Sequence, residues 1–127
     1  MEQAMKKTIL IIDDSAPLRL VLNEILQTAG FDTLQAEDAT SALGLLDGRK
    51  VHLLICDLYM PDLDGLTLLQ KVRTIPSYRF TPVIMLSTEK SEEFKDKAYN
   101  AGAKAWVTKP FSPQQMLNAV ARLISVE

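Results

Sequence analysis

Thr8-Ile9-Leu10-Ile11-Ile12, closed by Asp13-Asp14, is the stretch whose reading decides the fold. A short apolar run without polar alternation suggests a strand buried on both faces, the mark of a parallel sheet. Similar runs recur at 51–56, 82–86 and 105–107, with a weaker one at 33–36. Between them lie longer segments of helical periodicity. Leu18, Val21, Leu22, Ile25 and Leu26 share one face, as do Leu66, Leu69 and Val72, and Met116, Leu117, Val120, Leu123 and Ile124. Ser112-Pro113-Gln114-Gln115 reads as a capping box with proline at the first helical position. Ser91 reads as an N-cap ahead of Glu92 and Glu93, and Gly30, Gly48 and Gly102 as left-handed helix ends. The order is β-α five times over, which in one short chain means a doubly wound open α/β sheet. Five strands are too few for an eight-stranded barrel.

Composition sets the outer bounds. A chain of 127 residues holds one domain, read as spanning 1–127. Folding at this size removes about 65% of the extended chain's surface from water, so no disulfide or structural metal is needed. A net charge of −2 and the lack of any Lys/Arg block argue against nucleic acid as a direct partner. One cysteine, Cys56, excludes an internal disulfide and any paired-cysteine zinc or redox motif. The apolar runs are too short for membrane insertion. The start, from Met1 to Lys7, lacks a signal-peptide core. The expected location is cytoplasmic.

A polar group follows each apolar run. Asp13 and Asp14 end the first, Asp57 the third, Ser87 and Thr88 the fourth, and Lys109 lies just past the fifth. Ligands of an open α/β sheet bind outside the carboxyl ends of its strands. Three carboxylates, a hydroxyl and an ammonium are therefore expected in one crevice, drawn from four separate strands. Clustered carboxylates repel one another unless a cation sits among them. Hard oxygen ligands without His or Cys suit Mg²⁺, with Mn²⁺ as an alternative. An ammonium and a hydroxyl opposite the metal suit a transferring phosphoryl group, and a carboxylate can act as its nucleophile. Asp57, closing the central strand, is the best-placed acceptor.

Four blocks carry a resemblance that covers essentially the whole chain. They are Ile11-Ile12-Asp13-Asp14-Ser15, Ile55-Cys56-Asp57-Leu58-Tyr59-Met60-Pro61-Asp62-Leu63-Asp64-Gly65, Met85-Leu86-Ser87 and Val107-Thr108-Lys109-Pro110-Phe111. Together they resemble the signature blocks of bacterial two-component response-regulator receiver domains, of the CheY-like stand-alone type. The resemblance implies a flavodoxin-like (βα)5 fold with strand order 2-1-3-4-5. It implies that Asp57 accepts phosphate from a sensor histidine kinase or a histidine phosphotransfer protein. Mg²⁺ would be held by Asp14, Asp57 and the backbone carbonyl of Tyr59, with Asp13 acting mainly through water. Lys109 would pair with the acyl phosphate, Ser87 would bond a phosphoryl oxygen, and the Lys109–Pro110 bond would be cis. Trp106 takes the switch-aromatic position, with Thr88 beside the switch hydroxyl. The output would be a changed face on the fourth helix, fifth strand and fifth helix, including Lys95, Tyr99, Lys104 and Trp106, that engages a downstream protein.

Three residues depart from the family's usual pattern. Trp106 stands where Tyr or Phe is commoner, Thr88 where a small residue is usual, and Tyr59 places an aromatic near the phosphoryl group. Crowding by Trp106 and Thr88 predicts a partial aromatic rotation. Tyr59 predicts a shielded, slowly hydrolysed phosphate, which Glu89 could oppose by orienting water. The chain's end at Ser125-Val126-Glu127, just after the last helix, favours a stand-alone regulator of chemotaxis or motility. A receiver fragment of a larger regulator, such as a transcription factor, is the alternative. An aspartate-nucleophile phosphatase is disfavoured because Tyr59 stands where such enzymes carry their general acid. A flavin-binding module is disfavoured because Asp13-Asp14 would repel phosphate. Cys56 is read as an inert buried thiol, His52 as structural, Tyr78 and Phe80 as packing residues, and the charges from Glu92 to Lys97 as a solvated helix face.

Overall fold

The computed structural model describes residues 6–126. The leading segment from Met1 to Met5, most of the stretch read as lacking a signal-peptide core, lies outside the described residues, as does Glu127. Five strands and five helices alternate: β1 (Thr8–Ile12), α1 (Ala16–Thr28), β2 (Asp32–Ala36), α2 (Ala39–Leu45), β3 (Leu53–Asp57), α3 (Gly65–Arg73), β4 (Val83–Ser87), α4 (Glu92–Asn100), β5 (Ala105–Thr108) and α5 (Pro113–Ala121). A short 3-10 turn, Pro76–Tyr78, precedes β4. The sheet is parallel throughout, in the order β2-β1-β3-β4-β5. The doubly wound, flavodoxin-like expectation holds in full.

The unbroken apolar runs are explained by two cores, one on each face. Ile9 and Ile11 pack with Ile55, Leu86 and the α1 and α5 residues Leu22, Leu26, Met116 and Val120. Leu10 and Ile12 point the other way, to Leu54, Met85 and Ala39, Leu68, Leu69, Val72 and Ala98 of α2, α3 and α4. Each of these large aliphatic side chains, when fully buried, stabilises the fold by about 1.5–3 kcal/mol. No helix among the described residues is long and apolar enough to cross a membrane.

Helix ends follow the sequence with one difference. The capping box closes as expected: Ser112 Oγ accepts from Gln115 N–H at 3.1 Å, and Gln115 Oε1 accepts from Ser112 N–H at 2.7 Å. Gly102, at φ +106°, turns the chain out of α4 in a conformation that other residues rarely adopt. Ser91 stands at the N-cap of α4, but its hydroxyl makes no capping bond. Its own N–H donates to Glu89 Oε1 at 3.0 Å.

Two packing expectations fail. Phe80 is 85% exposed, because it lies in the loop beyond the 3-10 turn, with the Arg79 guanidinium over its ring. Val21 is half exposed, because it falls at the margin of the α1 stripe, beside a groove shared with Pro113 and Leu117 of α5. Tyr78 is buried as expected, and its hydroxyl donates to Arg49 O and accepts from Gly48 N–H. His52 is structural, its Nδ1 accepting from Thr8 N–H at 2.9 Å.

Candidate functional site

Register places the polar residues on one rim. Ile12 pairs with Cys56, so Asp13 and Asp57 each sit one step beyond neighbouring strand residues. Asp57 pairs with Leu86 and Ser87 with Thr108, which brings Ser87 and Lys109 to the same edge. Asp13 N–H donates to Ala36 O, Leu58 N–H to Leu86 O and Lys109 N–H to Ser87 O, extending the ladder one residue past each strand. The Lys109–Pro110 peptide is cis, as the resemblance implies.

One carboxylate oxygen from each of Asp13, Asp14 and Asp57 lies within 4.8 Å of the others. Asp13 is fully buried, Asp57 is 6% exposed, and Asp14 faces solvent. Lys109 Nζ donates to Asp13 Oδ2 at 3.0 Å and lies 3.4 Å from Asp57 Oδ1. Asp13 Oδ1 accepts from Ser15 N–H at 2.9 Å, so both its oxygens are engaged. Burial holds the Asp57 carboxyl above its ordinary pKa and the Asp13 charge adds to this, while Lys109 and the Tyr59 N–H act against it. A divalent cation would relieve this repulsion. The donor set suits Mg²⁺, since it is all carboxylate oxygen, and His52 is committed to Thr8 N–H at the far end of β1.

Ser87 is buried, and its hydroxyl accepts from Glu89 N–H at 3.0 Å. Tyr59 is half exposed at the rim, with its hydroxyl 3.4 Å from Glu89 Oε2. Desolvation, then the Glu89 charge, raises the phenol's pKa and keeps it a donor. Glu89 therefore has one oxygen on Ser91 N–H and the other towards Tyr59. Thr88, one residue past the buried Ser87, is exposed. Trp106 packs partly buried against the core beneath α3 and α4, and its Nε1 is buried without a hydrogen-bond partner.

Two contributors were not singled out in the sequence. Arg19 Nη1 donates to Asp13 O at 2.6 Å, bracing the acidic loop from the first turns of α1. Asp62 accepts three hydrogen bonds from the start of α2. Neither has a local signal: Arg19 contacts a main-chain carbonyl, and Asp62 contacts residues more than twenty positions away.

Cys56 is buried next to the acceptor, and burial, with the Asp57 charge next, pushes its thiol well above the ordinary value. It is expected to resist an aromatic disulfide reagent in the native protein and to react fully in denaturant. Labelling under native conditions on the timescale of an exposed thiol would refute that burial.

The family model for the response regulator receiver domain matches residues 9–121. The phosphate regulon transcriptional regulatory protein PhoB of Pseudomonas aeruginosa is 36% identical over 120 residues, covering 94% of this chain and 51% of PhoB. The chemotaxis protein CheY of the same organism is 32% identical over 116 residues, covering 91% of this chain and 94% of CheY. The crystal structure of Vibrio cholerae chemotaxis protein CheY4 at low pH superposes with a TM-score of 0.90 at 35% identity, covering 95% of this chain and 100% of that one. The chain spans about half the length of the phosphate-regulon relatives it matches.

Proposed function

Since the chain belongs to the response regulator receiver domain family of two-component signalling, we propose that it is a phosphorylation-activated switch whose acceptor is Asp57. The observation that carries this is the convergence of Asp13, Asp14, Asp57 and Lys109 on one strand-end rim, with the acceptor carboxylate nearly buried. An Asp57 oxygen attacks phosphorus on a phosphohistidine of a sensor kinase or phosphotransfer protein. The phosphorus–nitrogen bond breaks, and the imidazole leaves with the electron pair. Asp14, Asp57 and the Tyr59 carbonyl would hold Mg²⁺, with Asp13 acting through water. When bound, the metal would supply charge neutralisation for the phosphoryl oxygens. Lys109 swings from its present carboxylate partners towards the acyl phosphate, and the Ser87 hydroxyl turns from Glu89 N–H to donate to a phosphoryl oxygen. Beyond its own phosphorylation and dephosphorylation the domain needs no catalytic activity.

Both displacements pull on β4 and β5, whose ends Ser87 and Lys109 extend. The output is remodelling of the α4-β5-α5 face, where Lys95, Tyr99, Lys104 and Trp106 meet a downstream protein. The buried, unpartnered indole N–H of Trp106 disfavours its present position and supports a role in that movement. A chemotaxis or motility pathway in the cytoplasm is favoured by full coverage of CheY4 at a TM-score of 0.90. A receiver within a longer transcriptional regulator is the second reading, favoured by the PhoB similarity.

Thermal unfolding with and without Mg²⁺ tests the site. At a hundred times its dissociation constant the metal adds about 2.7 kcal/mol to wild-type stability. Asp14→Ala is expected to lose most of that gain, and to be no less stable than wild type in chelator because carboxylate repulsion falls. A wild type indifferent to saturating Mg²⁺ sinks the assignment.

The Tyr59–Glu89 contact spans the crevice mouth from the β3–α3 loop to the β4–α4 loop. Tyr59→Asn is expected to hasten loss of the phosphoryl group several-fold, by opening the site to water and freeing Glu89. Decay at the wild-type rate would remove shielding as Tyr59's role.

A further inference from the structure

The loop from 58 to 64 joins the acceptor strand β3 to α3, and its two ends are fixed locally. Leu58 N–H donates to Leu86 O at 3.1 Å, Gly65 N–H donates to Leu58 O at 2.7 Å, and Asp64 Oδ1 caps α3 through Thr67 N–H at 2.8 Å. Its middle is held differently. The Asp62 carboxylate reaches across to the first turn of α2, accepting from Ala39 N–H at 3.2 Å, Thr40 N–H at 3.0 Å and Thr40 Oγ1 at 2.9 Å. The helix already has a cap of its own, since Asp38 Oδ1 accepts from Ser41 N–H at 2.7 Å. Asp38 leaves the Ala39 and Thr40 donors open, and Ala39 is 1% exposed. A residue more than twenty positions away fills them.

What Asp62 adds beyond a cap is a closed ring of contacts around the metal-facing rim. From Asp57 the chain passes Tyr59 to Asp62, crosses to Ala39 and Thr40, and returns through Asp38 and Glu37 to Ala36. Ala36 O in turn accepts Asp13 N–H at 3.1 Å. The two acidic segments, 13–14 and 57–59, come from different strands and repel each other when no cation is present. The sheet fixes Asp13 relative to Asp57, and its ladder runs one residue further, to Leu58. Tyr59 lies beyond it, tied back by its N–H on the Asp57 carboxylate, while its carbonyl opens the span that runs to Asp62. The Asp62 bridge ties that segment back to the strand end that holds Asp13.

We propose that Asp62 is a positioning residue for metal binding, which holds the Tyr59 carbonyl at its working distance from Asp13 and Asp14 before the cation arrives. This rests on the Mg²⁺ reading of the rim given above. Asp62 touches no reacting atom; it acts through the loop. Preorganisation of this kind strengthens binding without changing chemistry once the metal is bound.

The test is calorimetric titration of MgCl₂ into wild type, Asp62→Ala, Asp62→Asn and Asp38→Ala, with phosphorylation by a small acyl phosphate measured across Mg²⁺ concentrations. Asp62→Ala is expected to weaken Mg²⁺ binding about fivefold to tenfold and raise the half-saturating Mg²⁺ concentration to match, with the rate at saturating metal close to wild type. Asp62→Asn, which keeps an acceptor oxygen for the α2 backbone, is expected to recover part of the loss. Asp38→Ala removes the helix's own cap, and is expected to lower the melting temperature without moving the Mg²⁺ midpoint. If Asp62→Ala also lowers only the melting temperature, Asp62 is a remote helix cap and the inference is overturned. No Mg²⁺ response in wild type overturns the metal site itself, and this inference with it.

Discussion

Asp57→Asn is expected to abolish phosphotransfer while folding as wild type does. The amide has nearly the shape of the carboxylate and fits the same pocket, where Asp57 is only 6% exposed. It is not a nucleophile, so no acyl phosphate can form on it. The change also removes a charge whose burial and proximity to Asp13 already hold the carboxyl above its ordinary pKa. Loss of the 3.4 Å contact to Lys109 works against that relief, but Lys109 keeps its shorter bond to Asp13. The variant should therefore unfold in chelator at a temperature equal to or above that of wild type. Intact mass after incubation with an acyl phosphate and Mg²⁺ should show one added phosphoryl group on wild type and none on the variant. Phosphorylation of the variant at the wild-type rate would place the acceptor elsewhere.

The architecture was legible because its two determinants are local. Apolar runs such as Thr8–Ile12 have no polar face, and only a strand covered on both sides tolerates that. Parallel pairing then turns a sequence regularity, one polar residue after each run, into a spatial one at Asp13, Asp57, Ser87 and Lys109. What the pattern could not supply was cover and reach. Periodicity assigned Val21 to the inner stripe of α1, yet it cannot say how far the neighbouring helix extends over the stripe's margin. Phe80 reads as a packing residue beside the loop before the fourth strand, but its side chain is left 85% exposed there. Ser91 stands where an N-cap belongs, while its N–H is drawn to the Glu89 carboxylate. The family resemblance sets Thr88 beside the switch hydroxyl, and its exposure depends on how the chain turns after Ser87. Arg19 braces the acidic loop through a main-chain acceptor and Asp62 the loop after β3 through main-chain donors, and main-chain groups leave no mark in a sequence.

Gly65→Ala is expected to be the most disruptive single-methyl change in the protein, although no unusual backbone angle demands glycine there. The residue opens α3 directly after the acceptor loop. A methyl group at its Cα would lie 2.4 Å from Asp57 O, 2.8 Å from Met85 Cε and 3.0 Å from Leu58 Cα. The methionine can move aside. The other two are backbone atoms, one belonging to the acceptor itself, fixed by the sheet and by the 2.7 Å bond from Gly65 N–H to Leu58 O. Relief requires α3 to back away from β3, which breaks that bond and thins the packing of Leu68 and Leu69. Overpacking of this kind costs about 3 kcal/mol. For a domain of this size that lowers the melting temperature by about 10 °C. Because the displaced atoms include the Asp57 carbonyl and the loop bearing Tyr59, phosphorylation should fall more steeply than stability, and excess Mg²⁺ should not restore it. Gly44→Ala is the matched control. Gly44 lies within α2, with nothing inside 4 Å of the added methyl, so there alanine gains helix propensity at no steric cost. It should raise stability by about 0.5 kcal/mol and leave phosphorylation unchanged. Equal and small effects at the two glycines would show that the β3–α3 junction has slack, and that the acceptor is not held as rigidly as the Gly65 contacts require.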